Sequence, residues 1–294
     1  MEMDRRRLRP MGIGDILDEA FHLFRSNFAL LAGVCAVIYV PFYVLVAIIG
    51  ASVGGSIGPT IVQMAAVVRA IFFDFLITGA LTYAVSQAYL GHITSVSDSY
   101  RFIGRRFWRA IKTQLLASIT VMLPFMVIAF LAAILFPLIA RSGSGSASIV
   151  ATIILIPLIA IAIFFTIRMA VRFIVVLPVF IVEGIGGSAA LKRSYGLVAG
   201  FGLKAFVISV IAQLIISILQ SIVVMPVRFI STGPIGIAIG AVLDGVTSSV
   251  LVPIIAIVYI LIYYDLRIRK EGFDLEILAQ ELEQRKQAAE PTKV

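Results

Sequence analysis

Three ionisable side chains stand inside otherwise apolar stretches of this sequence: Arg69, Asp74 and Asp244. A charge in hydrocarbon is expensive, so such residues are candidates for function; two carboxylates with an arginine could carry protons or bind a charged solute. The plainer alternative is a buried ion pair that ties helices together, or side chains that snorkel to a nearby interface. We adopt the plainer one, because transport sites usually bring more polar residues and broken helices to the midplane.

A second group mixes basic and aromatic residues. Arg105-Arg106-Phe107-Trp108-Arg109 opens an apolar run. Trp at headgroup level, with Arg reaching phosphate, is a common form of membrane anchoring. Lys192 and Arg193, and later Arg267, Arg269 and Lys270, flank apolar runs in the same way. We take all of these as candidates for contact with anionic headgroups. Other constellations point to less. Asp15, Asp18 and Glu19 share one helical face, but no second cluster with calcium-ligand spacing accompanies them, so a solvated face is expected. His22 and His92 are the only histidines and form no metal motif. No nucleophile–base arrangement, metal site or cofactor motif is legible, and the expectation is a protein that is not an enzyme.

The elements that position these groups follow from composition. Of 294 residues, 61% are hydrophobic and 14% charged, with a mean hydropathy of +1.07. A soluble chain carries nearer a quarter charged residues. Several apolar runs reach the ~20 residues that cross a hydrocarbon core. The net charge of +8 raises nucleic acid as a partner, but the Lys and Arg residues collect where apolar runs end. Topology selection and anionic lipid account for that pattern, and nucleic acid is excluded as an expected partner. Cys35 is the only cysteine and lies in an apolar run, so it is read as a small buried hydrophobe. Arg5 to Arg9 resemble the start of a signal peptide, yet no small-x-small cleavage site follows, and the N-terminus is expected to be retained.

Six crossings are the economical reading: 28–50, 63–90, 113–140, 149–171, 205–226 and 236–263. The three short connections on one side supply only Arg141 and Arg228. The other side holds Arg5, Arg6, Arg7, Arg9 and Arg25, then Arg101, Arg105, Arg106, Arg109 and Lys112, then Lys192, Arg193 and Lys204, with Arg168 and Arg172 near by. This asymmetry predicts a multi-pass protein of the cytoplasmic membrane with both termini in the cytoplasm. Residues 1–27 form an N-terminal segment, 28–264 the six-span membrane domain, and 265–294 a charged tail.

The basic connections have structure of their own. Ile13, Ile16, Leu17, Ala20, Phe21, Phe24 and Phe28 recur on one helical face, which predicts an amphipathic helix in the headgroup plane. Ser99-Tyr100-Arg101-Phe102 and Ser194-Tyr195-Gly196-Leu197 match Ala20-Phe21-His22-Leu23 at offsets of 79 and 174. Three repeats of interfacial helix plus transmembrane hairpin are the resulting expectation. The fourth run is too long: residues 149–182 as one helix would extend about 50 Å, against a core of about 30 Å. Arg168 and Arg172 mark its interface, and Phe173 to Val182 either project inward or fold back on the membrane. Gly236 and Gly240, spaced by four, permit close helix approach within the sixth crossing, whereas the glycine-rich Gly184–Ser188 follows no strand and is not read as a phosphate cradle. Residues Asp274 to Gln287 suggest a short helix with Leu275, Leu278, Ala279 and Leu282 on one side.

Three stretches taken together carry a family resemblance: Leu8-Arg9-Pro10-Met11-Gly12-Ile13-Gly14-Asp15-Ile16-Leu17-Asp18, running into Phe21 and Arg25; Pro178-Val179-Phe180-Ile181-Val182-Glu183-Gly184, followed by Ala189-Ala190-Leu191-Lys192-Arg193-Ser194-Tyr195-Gly196-Leu197; and Tyr263-Tyr264-Asp265-Leu266-Arg267-Ile268-Arg269-Lys270-Glu271-Gly272-Phe273-Asp274-Leu275. In this order they resemble the membrane domain of some bacterial glycerophosphoryl diester phosphodiesterases, also found in many stand-alone membrane proteins. The resemblance covers nearly the whole chain. It implies a membrane module separate from the soluble barrel that performs the hydrolysis, and supplies no catalytic residues here. Val198-Ala199-Gly200-Phe201-Gly202-Leu203 departs from it, being less basic and aromatic. The expected function is a non-catalytic module that associates with lipid, with a protein partner or with copies of itself; the alternative is a small transporter or lipid-translocating protein using Arg69, Asp74 and Asp244.

Overall fold

The computed structural model describes residues 10–53, 57–140, 145–230 and 233–272. Arg5, Arg6, Arg7, Arg9 and Arg141, and the helix suggested over 274–287, lie outside the described residues. The described residues form eleven helices: α1 Ile13–Ser26, α2 Phe28–Val53, α3 Ile57–Phe72, α4 Asp74–Tyr89, α5 Val96–Arg105, α6 Phe107–Ala140, α7 Gly145–Arg172, α8 Val176–Glu183, α9 Ser188–Val198, α10 Gly202–Ile230 and α11 Pro234–Glu271. Five helical runs are long and apolar enough to cross a membrane, and the bent pair α3–α4 supplies a sixth when taken as one crossing. The chain is an all-α polytopic membrane protein.

The element order carries the repeat seen in the offsets. A short helix precedes a long hairpin three times: α1 before α2 and α3–α4, α5 before α6 and α7–α8, α9 before α10 and α11. The matched residues Ala20, Ser99 and Ser194 are each fully buried. Short helices begin where side chains satisfy their free amides. Asp15 accepts from the Gly12 N–H at 2.8 Å, and Ser95 accepts from the Asp98 N–H at 3.1 Å while donating to its carboxylate at 2.6 Å. The apolar face of α1 is turned partly on protein: Ile16, Ala20 and Leu23 are buried and α1 packs on α10 and α11, while Ile13 and Phe21 stay exposed.

Helix α11 is the axis of the bundle. It pairs chiefly with α2 and touches α1, α4 and α10, and its buried residues run without interruption from Ile260 to Leu266. Small residues set the spacing: Gly236 and Gly240 are buried, and a Cβ on Gly245 would stand 2.8 Å from the Cβ of Tyr43. The α6–α7 hairpin is peripheral, with Phe125, Phe130, Ile154 and Phe164 exposed as lipid-facing side chains are.

Two helices run past the bounds of the crossings read from the sequence, and one expected alternative is resolved. Helix α6 begins at Phe107, six residues before the expected crossing at 113, with Arg109 and Lys112 on its first turns. Helix α11 runs past the expected crossing end at 263 to Glu271, where Gly272 adopts a left-handed conformation (φ 61°). Asp265, Leu266 and Ile268 are therefore buried helix. Of the two paths expected for residues 173–182, the chain takes the inward one. The turn Phe173–Val175 leads to α8, whose Val176, Pro178, Val179, Phe180 and Ile181 are buried against α4, α6 and α9. The following glycines fit a packed corner: the Gly187 N–H donates to Thr113 Oγ1 at 2.7 Å, and a Cβ on Gly186 would lie 3.2 Å from that oxygen.

Candidate functional site: charged clusters at the midpoint and at the basic end

Arg69 and Asp74 face each other across the bend between α3 and α4. Arg69 Nη1 lies 2.9 Å from Asp74 Oδ1, and the Tyr39 hydroxyl donates to the same oxygen at 3.1 Å. Arg69 sits in the last turn of α3 and Asp74 in the first turn of α4, so each charge also meets the favourable end of its helix dipole. Tyr39 is eleven residues into α2, about 17 Å at 1.5 Å per residue, which sets the cluster near the middle of that crossing. Both charged side chains are under one-third exposed (22% and 31%), so the pair is largely but not wholly desolvated. Asp244 is buried on α11 within electrostatic range of Tyr43, one turn along α2 from Tyr39. The sequence brought Arg69 and Asp74 together correctly; Tyr39, the third member, looked like any aromatic in an apolar helix.

The basic end is held by two further clusters. Asp265, 1% exposed, accepts from the Met11 N–H at 2.8 Å, from Lys204 Nζ at 2.5 Å and from Arg269 Nε at 3.0 Å. Lys204 and Arg269 also donate to the Met11 carbonyl at 2.6 and 2.8 Å. One buried carboxylate thus joins the segment before α1 to the start of α10 and the end of α11. In the second cluster Arg193 is forked between two carboxylates. Its Nε donates to Glu183 at 2.8 Å and its Nη2 to Glu271 at 2.7 Å, with a further Nη1 bond to Glu271. These partners raise the Arg193 guanidinium above its ordinary pKa, so it stays charged. Tyr263 donates to Glu183 at 2.9 Å, Arg267 reaches Glu271 at 3.2 Å, and Lys270 donates to the Gly196 carbonyl at 2.6 Å.

Residues 55–293 match the model of the family described as Domain of unknown function (DUF8558). The chain belongs to that family. No curated protein and no solved structure matches it. The span shared with DUF8558 contains Arg69, Asp74, Glu183, Arg193, Lys204, Asp244, Asp265, Arg269 and Glu271. Met11 and Tyr39 precede it, so each of the two clusters built on Asp74 and Asp265 draws one partner from before the DUF8558 match.

The candidates for headgroup contact divide into two sets. Arg193, Arg267, Arg269 and Lys270 are engaged within the protein, as just described. Arg105, Trp108, Arg109 and Lys192 are exposed, and Trp108 is 71% exposed, while Arg106 lies 4.3 Å over the Phe102 ring. Sequence reasoning did not single out Glu183 or Asp265 as partners, because pairings across 10 and 61 residues depend on where α8 and α10 end up. Among the described residues no three His, Cys, Asp or Glu side chains are placed to hold a metal ion. A largely apolar groove of about 320 Å³ opens between α4, α6, α7, α8 and α11, with Thr78, Thr82, Gln114, Ser118 and Tyr259 as its polar lining. Thr78 is one turn from the midpoint pair and donates to the Asp74 carbonyl at 2.6 Å.

Proposed function

We propose that this protein is a non-catalytic module of the bacterial cytoplasmic membrane, with both termini in the cytoplasm, which associates with anionic lipid and presents a surface to a protein partner or a second copy. The observation that carries this reading is the junction of α5 and α6. Trp108 projects with 71% of its surface exposed between the exposed Arg105 and Arg109, and no carboxylate pairs with either arginine among the described residues. Trp at headgroup depth with arginines directed at phosphate is an interfacial anchor. The resemblance to the membrane domain of glycerophosphoryl diester phosphodiesterases agrees with such a role. The engagement of Arg193, Arg267, Arg269 and Lys270 within the protein supports an assignment of lipid contact to Arg105, Arg106, Arg109 and Lys192. The test is lipid retention after purification. Wild-type protein should retain anionic over zwitterionic lipid, Arg105→Gln/Arg106→Gln should reduce that preference, and no turnover of a glycerophosphodiester should be measured. Equal retention of both lipid classes would defeat the reading.

A second reading, translocation of a small solute or lipid, draws on the groove beside the bent α3–α4 pair, where Thr78, Thr82, Gln114, Ser118 and Tyr259 interrupt an apolar lining. Bent or interrupted helices and polar cavities accompany transport sites. Against it stands the Asp74 carboxylate, which is already bonded to Arg69 and Tyr39 and does not line that groove. Labelling of a Thr82→Cys variant by a water-soluble thiol reagent separates the two: rapid labelling supports passage, and resistance supports a sealed structural pair.

A further inference from the structure

We infer that the protein carries a built site for one anionic phospholipid between the end of α7 and the start of α10, with Arg168 and Arg172 holding the phosphate. The inference rests on the lipid-associated reading above and gives it a location. A pocket of about 390 Å³ is lined by these two arginines together with Phe164, Ile167, Leu203 and Phe206 among others, and no acidic residue lines it. Among the described residues neither arginine has a carboxylate within ion-pair distance, whereas Arg193, Arg267, Arg269 and Lys204 at the same end of the bundle all do. Two guanidiniums one helical turn apart match the several acceptor oxygens of a phosphate, which arginine binds in a forked geometry.

Arg172 is held in place. The Arg172 guanidinium lies 4.2 Å over the Tyr195 ring, and the Arg172 carbonyl accepts from Ser194 Oγ at 2.8 Å, so α9 fixes the end of α7. The turn into α10 places Gly200 (φ 87°) and Gly202 in the pocket wall, leaving it open beside the first amides of α10, which have no intrahelical acceptor. What selects a lipid over a free anion is the rest of the lining. Phe164 and Ile167 precede the arginines on the apolar run of α7, and Leu203 and Phe206 begin that of α10. Phe164, Ile167 and Leu203 are exposed, Leu203 at 78%. The charged end of the pocket therefore continues into an apolar track along the crossing, the arrangement a phosphate headgroup with an acyl chain fills.

The experiment is native mass spectrometry of the full chain from detergent, titrated with phosphatidylglycerol or phosphatidylcholine, with a parallel thermal-shift series that includes inorganic phosphate. One phosphatidylglycerol per chain should be retained preferentially. Arg168→Gln and Arg172→Gln should each weaken it about tenfold, as loss of one charge-assisted contact does. Leu203→Trp keeps both charges but fills the track, and should weaken phosphatidylglycerol while leaving any effect of inorganic phosphate unchanged. Arg101→Gln, an exposed change on α5 outside the pocket, should alter nothing. If wild type retains phosphatidylglycerol and the three pocket variants retain it equally, the site is refuted while general lipid association stands. If inorganic phosphate stabilises wild type as strongly as the lipid does, the lipid assignment is overturned. If wild type shows no preference between the two lipids, the site and the broader reading fail together.

Discussion

Replacing Asp265 with asparagine removes the negative charge around which Met11, Lys204 and Arg269 are arranged. Both carboxylate oxygens are in use: Oδ1 accepts from the Met11 N–H and Arg269, Oδ2 from Lys204 and Arg269. Asparagine keeps the shape, but its amide nitrogen must then face a donor, and two cations lose their counter-charge. Breaking a buried ion pair from one side costs ~3–5 kcal/mol. Lys204 and Arg269 keep partial access to solvent, at 19% and 27%, and this relief puts the expected loss at the lower end, about 3 kcal/mol. The measurement is equilibrium unfolding in mixed micelles titrated with SDS and followed by circular dichroism. Hydrogen exchange of α1 should rise in parallel, because the Met11 backbone is tied to this carboxylate and to both cations. Adding Lys204→Met to Asp265→Asn should recover about 1 kcal/mol, since the two residues share one network. A loss under about 0.5 kcal/mol, the range of ordinary surface changes, would refute the claim that this cluster holds α1, α10 and α11 together.

Three further outcomes can be measured in the same assay. Asp74→Asn should destabilise by about 2–3 kcal/mol, because Arg69 is left without its counter-charge near the middle of the α2 crossing, and Arg69→Met/Asp74→Leu should cost less than the two single losses combined. Glu183→Gln should cost about 1–2 kcal/mol by weakening the Arg193 fork and the Tyr263 bond, with the loss seen as faster exchange in α8 and α9. Gly245→Ala should cost about 1–3 kcal/mol, because its Cβ would come within 2.8 Å of the Tyr43 Cβ, which cannot move aside; Gly14→Ala, with open space around it, should be near neutral.

The fold was largely legible because a membrane crossing is a local property. Apolar runs, their length and the cations at their ends are all read along the chain, and the runs around 28–50, 205–226 and 236–263 became α2, α10 and α11. The first short helix was legible for a related reason, since an amphipathic face repeats every three to four residues, and the other two followed from their offsets to it. The pairing of charges was legible only where it is short in sequence. Arg69 and Asp74 are five residues apart and were singled out together, whereas Lys204 meets Asp265 across 61 residues and Arg193 meets Glu271 across 78. Such partners are fixed by which helices pack side by side.

The stretch Tyr263 to Glu271 shows the division most clearly. Sequence alone determined that hydrocarbon-compatible residues stop there and charges resume, since only Asp244 is charged between Arg228 and Asp265. It could not determine what those charges do, because a cation at a membrane interface looks the same whether it meets a phosphate or a carboxylate brought from elsewhere. Tertiary structure decided it. Burial of α11 at the centre of the bundle brings Glu183, Arg193, Lys204 and the Met11 backbone to the exit residues, and in that setting the pairs form within the protein. Arg168 and Arg172 reach no carboxylate among the described residues and line a pocket between the end of α7 and the start of α10.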